Sequence, residues 1–135
     1  MAANFTLDEV FQQLTSGRSW TGSTITYAFP TSVAGIFSDG EGTTFRPVNA
    51  TQQTVFVQAL LTWDDLIAPN FQLTGQPGSD IEFAYTTSNI GYAHAYFPTT
   101  GSAWFNASTG LTTPTIGAYE FLTLVHEIGH ALGLN

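Results

Sequence analysis

Residues 121–134 read FLTLVHEIGHALGL, and this stretch combines a helical pattern with two histidines. Its apolar residues recur every three or four positions, which predicts the buried face of a helix: Phe121, Leu124, Val125, Ile128 and Leu132. We place this helix from Ile116 to Leu132, where Gly133 ends it. Because each residue advances the helix by about 100°, His126 and His130 lie on the same side, one turn apart.

Two imidazoles in this arrangement can reach a single metal ion. The chain has no cysteine, so any metal must take histidine and carboxylate ligands, and zinc suits neutral imidazole nitrogen. We therefore predict His126 and His130 as zinc ligands. A catalytic zinc takes three protein ligands and one water, so these two histidines alone do not complete the site.

Glu127 lies beside the first histidine, where a general base would be useful. Its carboxylate could accept a proton from a zinc-bound water and then pass it to a leaving amine. This predicts hydrolysis of a peptide bond, with the water as nucleophile. The alternative is that the two histidines are surface residues of an amphipathic helix. Glu127 weighs against that alternative, because a buried carboxylate is unfavourable without a compensating partner.

The charge balance narrows the possible partners. Ten carboxylates face only two arginines, there is no lysine, and the formal net charge is −8. Such a surface repels phosphate backbones and anionic lipids, so we expect neither nucleic acid nor a membrane as a partner. The N-terminus lacks the basic and apolar regions of a secretion signal, and no apolar run reaches membrane-spanning length. At 135 residues, we expect one domain, residues 1–135.

The remaining pattern alternates helices and strands. Thr6 and Glu9 predict a capping box ahead of a short helix that stops at Ser16-Gly17, and Asn49 or Thr51 can cap a longer helix ending near Ile67. Strand-like segments lie at 24–29, 71–73, 81–85, 92–97 and 103–106. Residues 31–47 are predicted to form a loop and 75–78 a turn, and the alternation of residues 81–85 predicts a half-buried strand.

Residues 126–134, HEIGHALGL, resemble the metzincin signature HExxHxxGxxH. In that signature the glycine, here Gly133, turns the chain toward a third histidine, which would follow Asn135. Nearly the whole chain is similar to serralysin-type bacterial proteases. The similar segments are residues 13–17 ahead of Trp20, then 25–29, 53–63, 80–83, 92–93 with 97–98, and 103–106.

The resemblance implies an α/β fold: the upper part of a metzincin protease domain, incomplete at its C-terminus. This comprises a twisted, mostly parallel sheet with an antiparallel edge strand, a backing helix and an active-site helix. The edge strand would hold an extended protein substrate by β-addition, through Tyr92, Ala93, His94 and Ala95. Zinc would be the cofactor, with calcium only in a downstream part, and the protein would be secreted from bacteria without an N-terminal signal peptide.

The same residues allow other hypotheses about the function of the chain. The chain could be a non-catalytic folded fragment or binding module, or one half of an enzyme completed by another chain. We expect little activity from the chain alone. We also expect self-association through the truncated face, where apolar surface at the lower edge of the cleft would be exposed. The segment around His94 resembles the matrixin strand that contributes to a structural zinc, but a cleft or strand-surface role fits better. Asp39-Gly40-Glu41-Gly42 fits a solvated turn better than a calcium loop.

Overall fold

A computed structural model describes residues 6–74 and 77–135, without the side chains of Val10 and Phe11. The predicted turn at 75–78 therefore lies partly outside the described residues. The helices are α1 (Leu7–Leu14), α2 (Ala50–Asp64) and α3 (Tyr119–Leu132). The strands are β1 (Thr24–Ala28), β2 (Asn70–Leu73), β3 (Ile81–Thr86), β4 (Ala93–Ala95) and β5 (Ser102–Asn106). Short 3-10 turns lie at Val33–Gly35, Glu41–Thr44 and Gly110–Thr112.

The strands form one sheet in the order β2-β1-β3-β5-β4. Strands β2, β1, β3 and β5 are parallel, whereas β4 runs antiparallel to β5 at the edge. Parallel neighbours need long connections, and the α2 helix lies in the connection between β1 and β2. The predicted α/β fold with an antiparallel edge strand is therefore confirmed.

Helices α2 and α3 cover one face of the sheet, where the main core lies. Phe56 of α2 is fully buried, and its ring meets those of Phe83 and Phe105 edge-on at centroid distances of 5.1 Å each. The α2 helix begins at the predicted cap: the Asn49 side chain accepts from Gln52 N, and the Gln52 side chain accepts from Asn49 N, both at 2.8 Å. This cap and core fix α2 as the support on which α3 rests.

The loop of residues 31–47 covers the other face of the sheet. Ile36 from this loop packs with Ala84 and Trp104 in a second buried cluster. All six residues of β3 are consequently buried, so the prediction of a half-buried strand was wrong. The solvated turn predicted at residues 39–42 is confirmed for Asp39 and Gly40, which are exposed, but is wrong for Glu41, which has no exposed surface.

Three predicted elements are shorter in the structure. The α2 helix ends at Asp64 instead of Ile67, and α3 begins at Tyr119 instead of Ile116, after a turn in which Gly117 has a φ of +88°. The β4 strand keeps only Ala93–Ala95 of the predicted 92–97, since Phe97 already accepts turn hydrogen bonds from Thr100 and Gly101. Within the described residues, no helix is long and apolar enough to span a membrane.

Candidate metal centre

Two tryptophans fix the position of α3. The indole N–H of Trp63 on α2 donates to the Val125 carbonyl at 3.0 Å, and the indole N–H of Trp20 donates to the Ala131 carbonyl at 2.8 Å. Leu124, Ile128 and Ala131 form the fully buried face of the helix. The residues between them, including both histidines, are thereby held in a fixed orientation.

His126 and His130 bring their ring nitrogens together. Their Nε2 atoms are 3.0 Å apart, and the rings are nearly perpendicular, with an interplanar angle of 89°. The Nδ1 of His130 lies 3.0 Å from the Leu134 carbonyl, which can only accept, so Nδ1 carries the proton. In the neutral ring this leaves the Nε2 lone pair available to a metal ion.

Glu127 is buried beside this pair, with 7% of its surface exposed. Burial raises the pKa of its carboxyl, and positive charge on His130, His126 and His94 opposes this rise. Its Oε2 atom is buried and has no hydrogen-bond partner among the described residues. A buried unpaired carboxylate oxygen is unfavourable by roughly 1–3 kcal/mol, so this atom is suited to a bound group beside the histidines.

The chemical types of His126, His130 and Glu127 suit zinc, although a catalytic zinc takes one more protein ligand than the two histidines. Two imidazole nitrogens converge, and a carboxylate oxygen is available next to them. Within residues 6–74 and 77–135, no group of three or more histidine or carboxylate side chains is arranged to hold a metal. The described residues therefore bring together two imidazole nitrogens and one acidic neighbour.

Gly133 ends α3 in a way that only glycine permits. Its φ is +112°, and a Cβ atom there would lie 2.2 Å from the Arg18 carbonyl oxygen. The segment before Arg18 pairs with the end of the chain: Ser16 N donates to Gly133 O at 2.8 Å, and Asn135 N donates to Leu14 O at 2.7 Å. This pairing was not predicted. It links the N-terminal segment to Leu134, whose carbonyl orients the His130 ring.

The β4 strand has one edge free to accept a peptide. Tyr96 N donates to Ser102 O at 2.9 Å, and Asn106 N donates to Tyr92 O at 3.0 Å, so the even-numbered residues pair with β5. Because backbone groups alternate along an antiparallel ladder, those of Ala93 and Ala95 face the open edge. Beside this edge, a cavity of about 260 Å³ is lined by Tyr92, Ala93, Tyr119, Leu122, Thr123, His126 and Glu127.

The four predicted substrate-binding residues thus divide into two groups. Tyr92 and Ala93 line the cavity next to Glu127, and Ala95 presents its backbone to the open edge. The ring of His94 instead contacts the Glu41 carboxylate, with Nε2 and Oε1 2.6 Å apart. Sequence reasoning placed Glu41 in a solvated turn and missed this contact, because it joins positions 53 residues apart and no local pattern indicates it.

A mostly parallel sheet with an antiparallel edge strand, above a helix that presents HExxH, defines the class of metzincin-type metallopeptidases. The matrixin family model, Peptidase_M10, matches residues 19–135. The chain therefore belongs to the matrixin family of zinc metalloproteases, and the prediction of a serralysin-type metzincin is confirmed.

Several curated bacterial proteins are similar to the chain. Serralysin A of Dickeya chrysanthemi is 33% identical over 98% of the chain and 32% of its own length. Serralysin of Proteus mirabilis is 32% identical over 82% of the chain and 27% of its own length. For Metallopeptidase AprA of Pseudomonas marginalis these values are 33%, 82% and 26%. The chain spans about a third or less of the length of these relatives.

Proposed function

We propose that this chain carries the zinc-binding and catalytic residues of an endopeptidase that cleaves extended protein segments. One observation carries the proposal: the Nε2 atoms of His126 and His130 converge within 3.0 Å, next to the buried, unpaired oxygen of Glu127. This arrangement would bring two metal ligands and a general base to one point. When bound, zinc would polarise the scissile carbonyl and make a water molecule more acidic.

Glu127 would move the proton during the reaction. Burial raises its pKa, so its carboxylate is a stronger base than an exposed glutamate. The water oxygen adds to the carbonyl carbon, and Glu127 accepts the proton that this oxygen loses. Glu127 then donates that proton to the amide nitrogen as the C–N bond breaks. The products are a carboxylic acid, which keeps the second proton of the water, and an amine; at neutral pH this proton passes to the amine, giving a carboxylate and an ammonium group. No bond forms between substrate and protein.

Strand β4 would hold the substrate in register with this base. The free amide and carbonyl groups of Ala93 and Ala95 can pair with an extended peptide, whose side chains then alternate in direction. The cavity between β4 and α3 would take one of these side chains. Its walls include the rings of Tyr92 and Tyr119, 5.9 Å apart, and Leu122. Apolar and aromatic side chains suit such a cavity best.

We also propose the wider setting implied by the family. The protein would be secreted and act outside the cell on proteins and peptides, and calcium would serve only a downstream part. Exposed apolar side chains on α2 and α3, including Leu61, Tyr119 and Leu122, would favour self-association. Because the described centre has two imidazole ligands, we expect weak zinc binding and little proteolysis from the 135-residue chain alone.

Zinc content is the most direct test. We would dialyse the purified chain against metal-free buffer, measure zinc per chain by elemental analysis, and compare a His126→Ala/His130→Ala variant. Zinc that is retained or re-bound only by the wild type supports the proposed ligands, and equal zinc in both chains contradicts them. Casein hydrolysis in the same samples tests catalysis. A zinc-free chain that binds peptides without cleaving them would favour the binding-module alternative.

A further inference from the structure

Glu41 is a charged side chain that the proposed chemistry does not use. It lies in the loop over the second face of the sheet, in the 3-10 turn Glu41–Thr44, and has no exposed surface. A buried carboxylate persists only when its oxygens are well satisfied. Its partners therefore indicate what it holds in place.

Three donors satisfy this carboxylate. Its Oε1 accepts hydrogen bonds from His94 Nε2 at 2.6 Å and from the Tyr96 hydroxyl, and its Oε2 accepts from the Asp39 backbone N–H. Burial alone would raise the pKa of Glu41, but the hydrogen bonds from Tyr96, Asp39 and His94 lower it below its ordinary value. The group is thus a fully hydrogen-bonded carboxylate inside the protein.

Both side-chain donors come from the edge strand and its end. His94 and Tyr96 are two residues apart, so their side chains leave β4 on the same face, on either side of Ala95. The Tyr96 ring also packs edge-on against Phe37, at 5.0 Å. On the inner side, the Thr86 hydroxyl of β3 donates to the Glu41 backbone carbonyl. Glu41 therefore connects the edge strand to the centre of the sheet.

This connection matters because β4 is a short strand at the edge of the sheet, where Glu41 adds to the packing of Ala93 and Ala95 against the main core. The strand has three residues and one neighbouring strand, β5. Short edge strands are among the less stable parts of a sheet, and adding a peptide to a disordered edge carries the entropy of ordering it. An edge that is already ordered binds an extended peptide more tightly.

We propose that Glu41 is a positioning residue for peptide binding: it anchors His94 and Tyr96, and so holds the open edge of β4 ready for an extended substrate. This inference rests on the proposed function, since it assumes that β4 receives the substrate. It assigns Glu41 no contact with the substrate itself. Removing its charge should loosen β4 while the rest of the sheet keeps its structure.

Hydrogen exchange followed by NMR tests the anchoring. In a Glu41→Gln variant, the Tyr96 and Asn106 amides, which bridge β4 and β5, should exchange about tenfold faster than in the wild type. The β3 amides should exchange at their wild-type rates. Glu82→Gln is the matched control, because Glu82 is also a buried carboxyl on this face of the sheet but lies on β3. At pH 5, where Glu82→Gln is expected to change the overall stability little, this control should leave the β4 amides unchanged.

Two exchange results would overturn the anchoring. The first is an equal acceleration of amide exchange throughout the sheet, which would mean a general loss of stability. The second is unchanged exchange of the β4 amides. If Glu41→Gln fails to fold, Tyr96→Phe can replace it, because it removes one hydroxyl donor to Glu41 at little structural cost. The β4 amides should then exchange faster as well, by a smaller factor.

Peptide affinity tests the consequence for binding. With a fluorescent, unstructured casein-derived peptide and zinc present, Glu41→Gln should weaken binding roughly fivefold or more, whereas Glu82→Gln should bind like the wild type. In a hydrolytically active preparation the loss should fall on KM, with kcat within about twofold. Equal affinity of wild type and Glu41→Gln, or no binding by the wild type, would overturn the positioning role. Binding without any hydrolysis would leave the positioning role intact and would favour the binding-module alternative to the proposed function.

Discussion

Glu127 differs from Glu120, the other carboxylate of α3, in both burial and surroundings. It is 7% exposed with one unpaired buried oxygen, whereas Glu120 lies in the first turn of the same helix and is partly exposed. Replacing Glu127 by glutamine keeps the shape but removes the proton acceptor. We expect hydrolysis to fall by about 10² to 10⁴ with zinc binding retained.

Peptide hydrolysis and zinc content of Glu127→Gln, measured in an active preparation, would check this prediction. Glu120→Gln is the control that changes the same net charge on the same helix. A Glu127→Gln variant that still hydrolyses peptides at the wild-type rate would exclude Glu127 as the general base. A variant that also loses zinc would indicate a structural role instead.

Glu82 provides a second prediction at the residue scale. Burial raises its pKa to about 7 from an ordinary value of 4.5, and its Oε2 atom has no partner among the described residues. The folded protein therefore binds this proton more tightly than the unfolded chain does. The resulting stability is fully present below pH 4.5 and is lost as the pH rises to about 7, by at most ~3 kcal/mol.

Glu82→Gln removes this titration. We expect it to raise the melting temperature at pH 8 and to change it much less at pH 5. Thermal unfolding of both proteins at the two pH values measures the difference. A variant that shifts the melting temperature equally at both pH values would mean that Glu82 does not titrate in this range.

Sequence patterns predicted the arrangement of the two histidines better than their surroundings. The spacing of His126 and His130 determines their common side of a helix, and the structure brings their Nε2 atoms to 3.0 Å. No comparable sequence pattern indicates the burial or the partners of Glu41. It stands between glycines in a polar loop, and its burial depends on His94, which is distant in sequence.

Among the elements, local capping signals gave the most accurate boundaries. The Thr6–Glu9 capping box is present, with Glu9 Oε2 2.8 Å from Thr6 N, and Asn49 caps α2 as predicted. Burial was harder to predict, because it depends on what covers each face. The alternation in β3 suggested one exposed face, but the loop of residues 31–47 covers it.

At the two ends of α3, two glycine variants distinguish the free-energy cost of a strained backbone conformation from the cost of a steric contact. Gly133 and Gly117 both have positive φ values, +112° and +88°. A Cβ atom on Gly133 would meet the Arg18 carbonyl at 2.2 Å, whereas one on Gly117 would meet nothing within 4 Å. Gly117→Ala should therefore carry only the conformational penalty, about 1–2 kcal/mol. Gly133→Ala should destabilise the protein clearly more.

Chemical denaturation of the two alanine variants measures this difference in the free energy of unfolding. The excess for Gly133→Ala reports the contact between α3 and the N-terminal segment. If the two variants lose equal stability, the N-terminal segment around Arg18 moves aside at little cost in free energy and does not fix the end of α3. Zinc affinity should also fall in Gly133→Ala, because Leu134 orients His130.

At the scale of the whole molecule, metal binding and folding should be coupled. The two histidines are held by a helix that Trp20, from the N-terminal segment, and Trp63, from α2, fix in place, so the unfolded chain has no comparable site. Zinc that binds only the folded state raises stability by RT ln(1 + [Zn]/Kd), about 2.7 kcal/mol at one hundred times Kd. We expect the melting temperature to rise with zinc and to return to its starting value on addition of EDTA.

The His126→Ala/His130→Ala variant is the control for this coupling, since it removes both ligands but neither tryptophan contact. It should melt at the same temperature with and without zinc. Differential scanning calorimetry over a range of zinc concentrations provides the measurement, and the concentration dependence gives Kd for the two-histidine centre. A zinc-dependent rise that persists in the variant would place the metal elsewhere. The absence of any rise in the wild type would mean that the two imidazoles alone do not hold zinc in the folded chain.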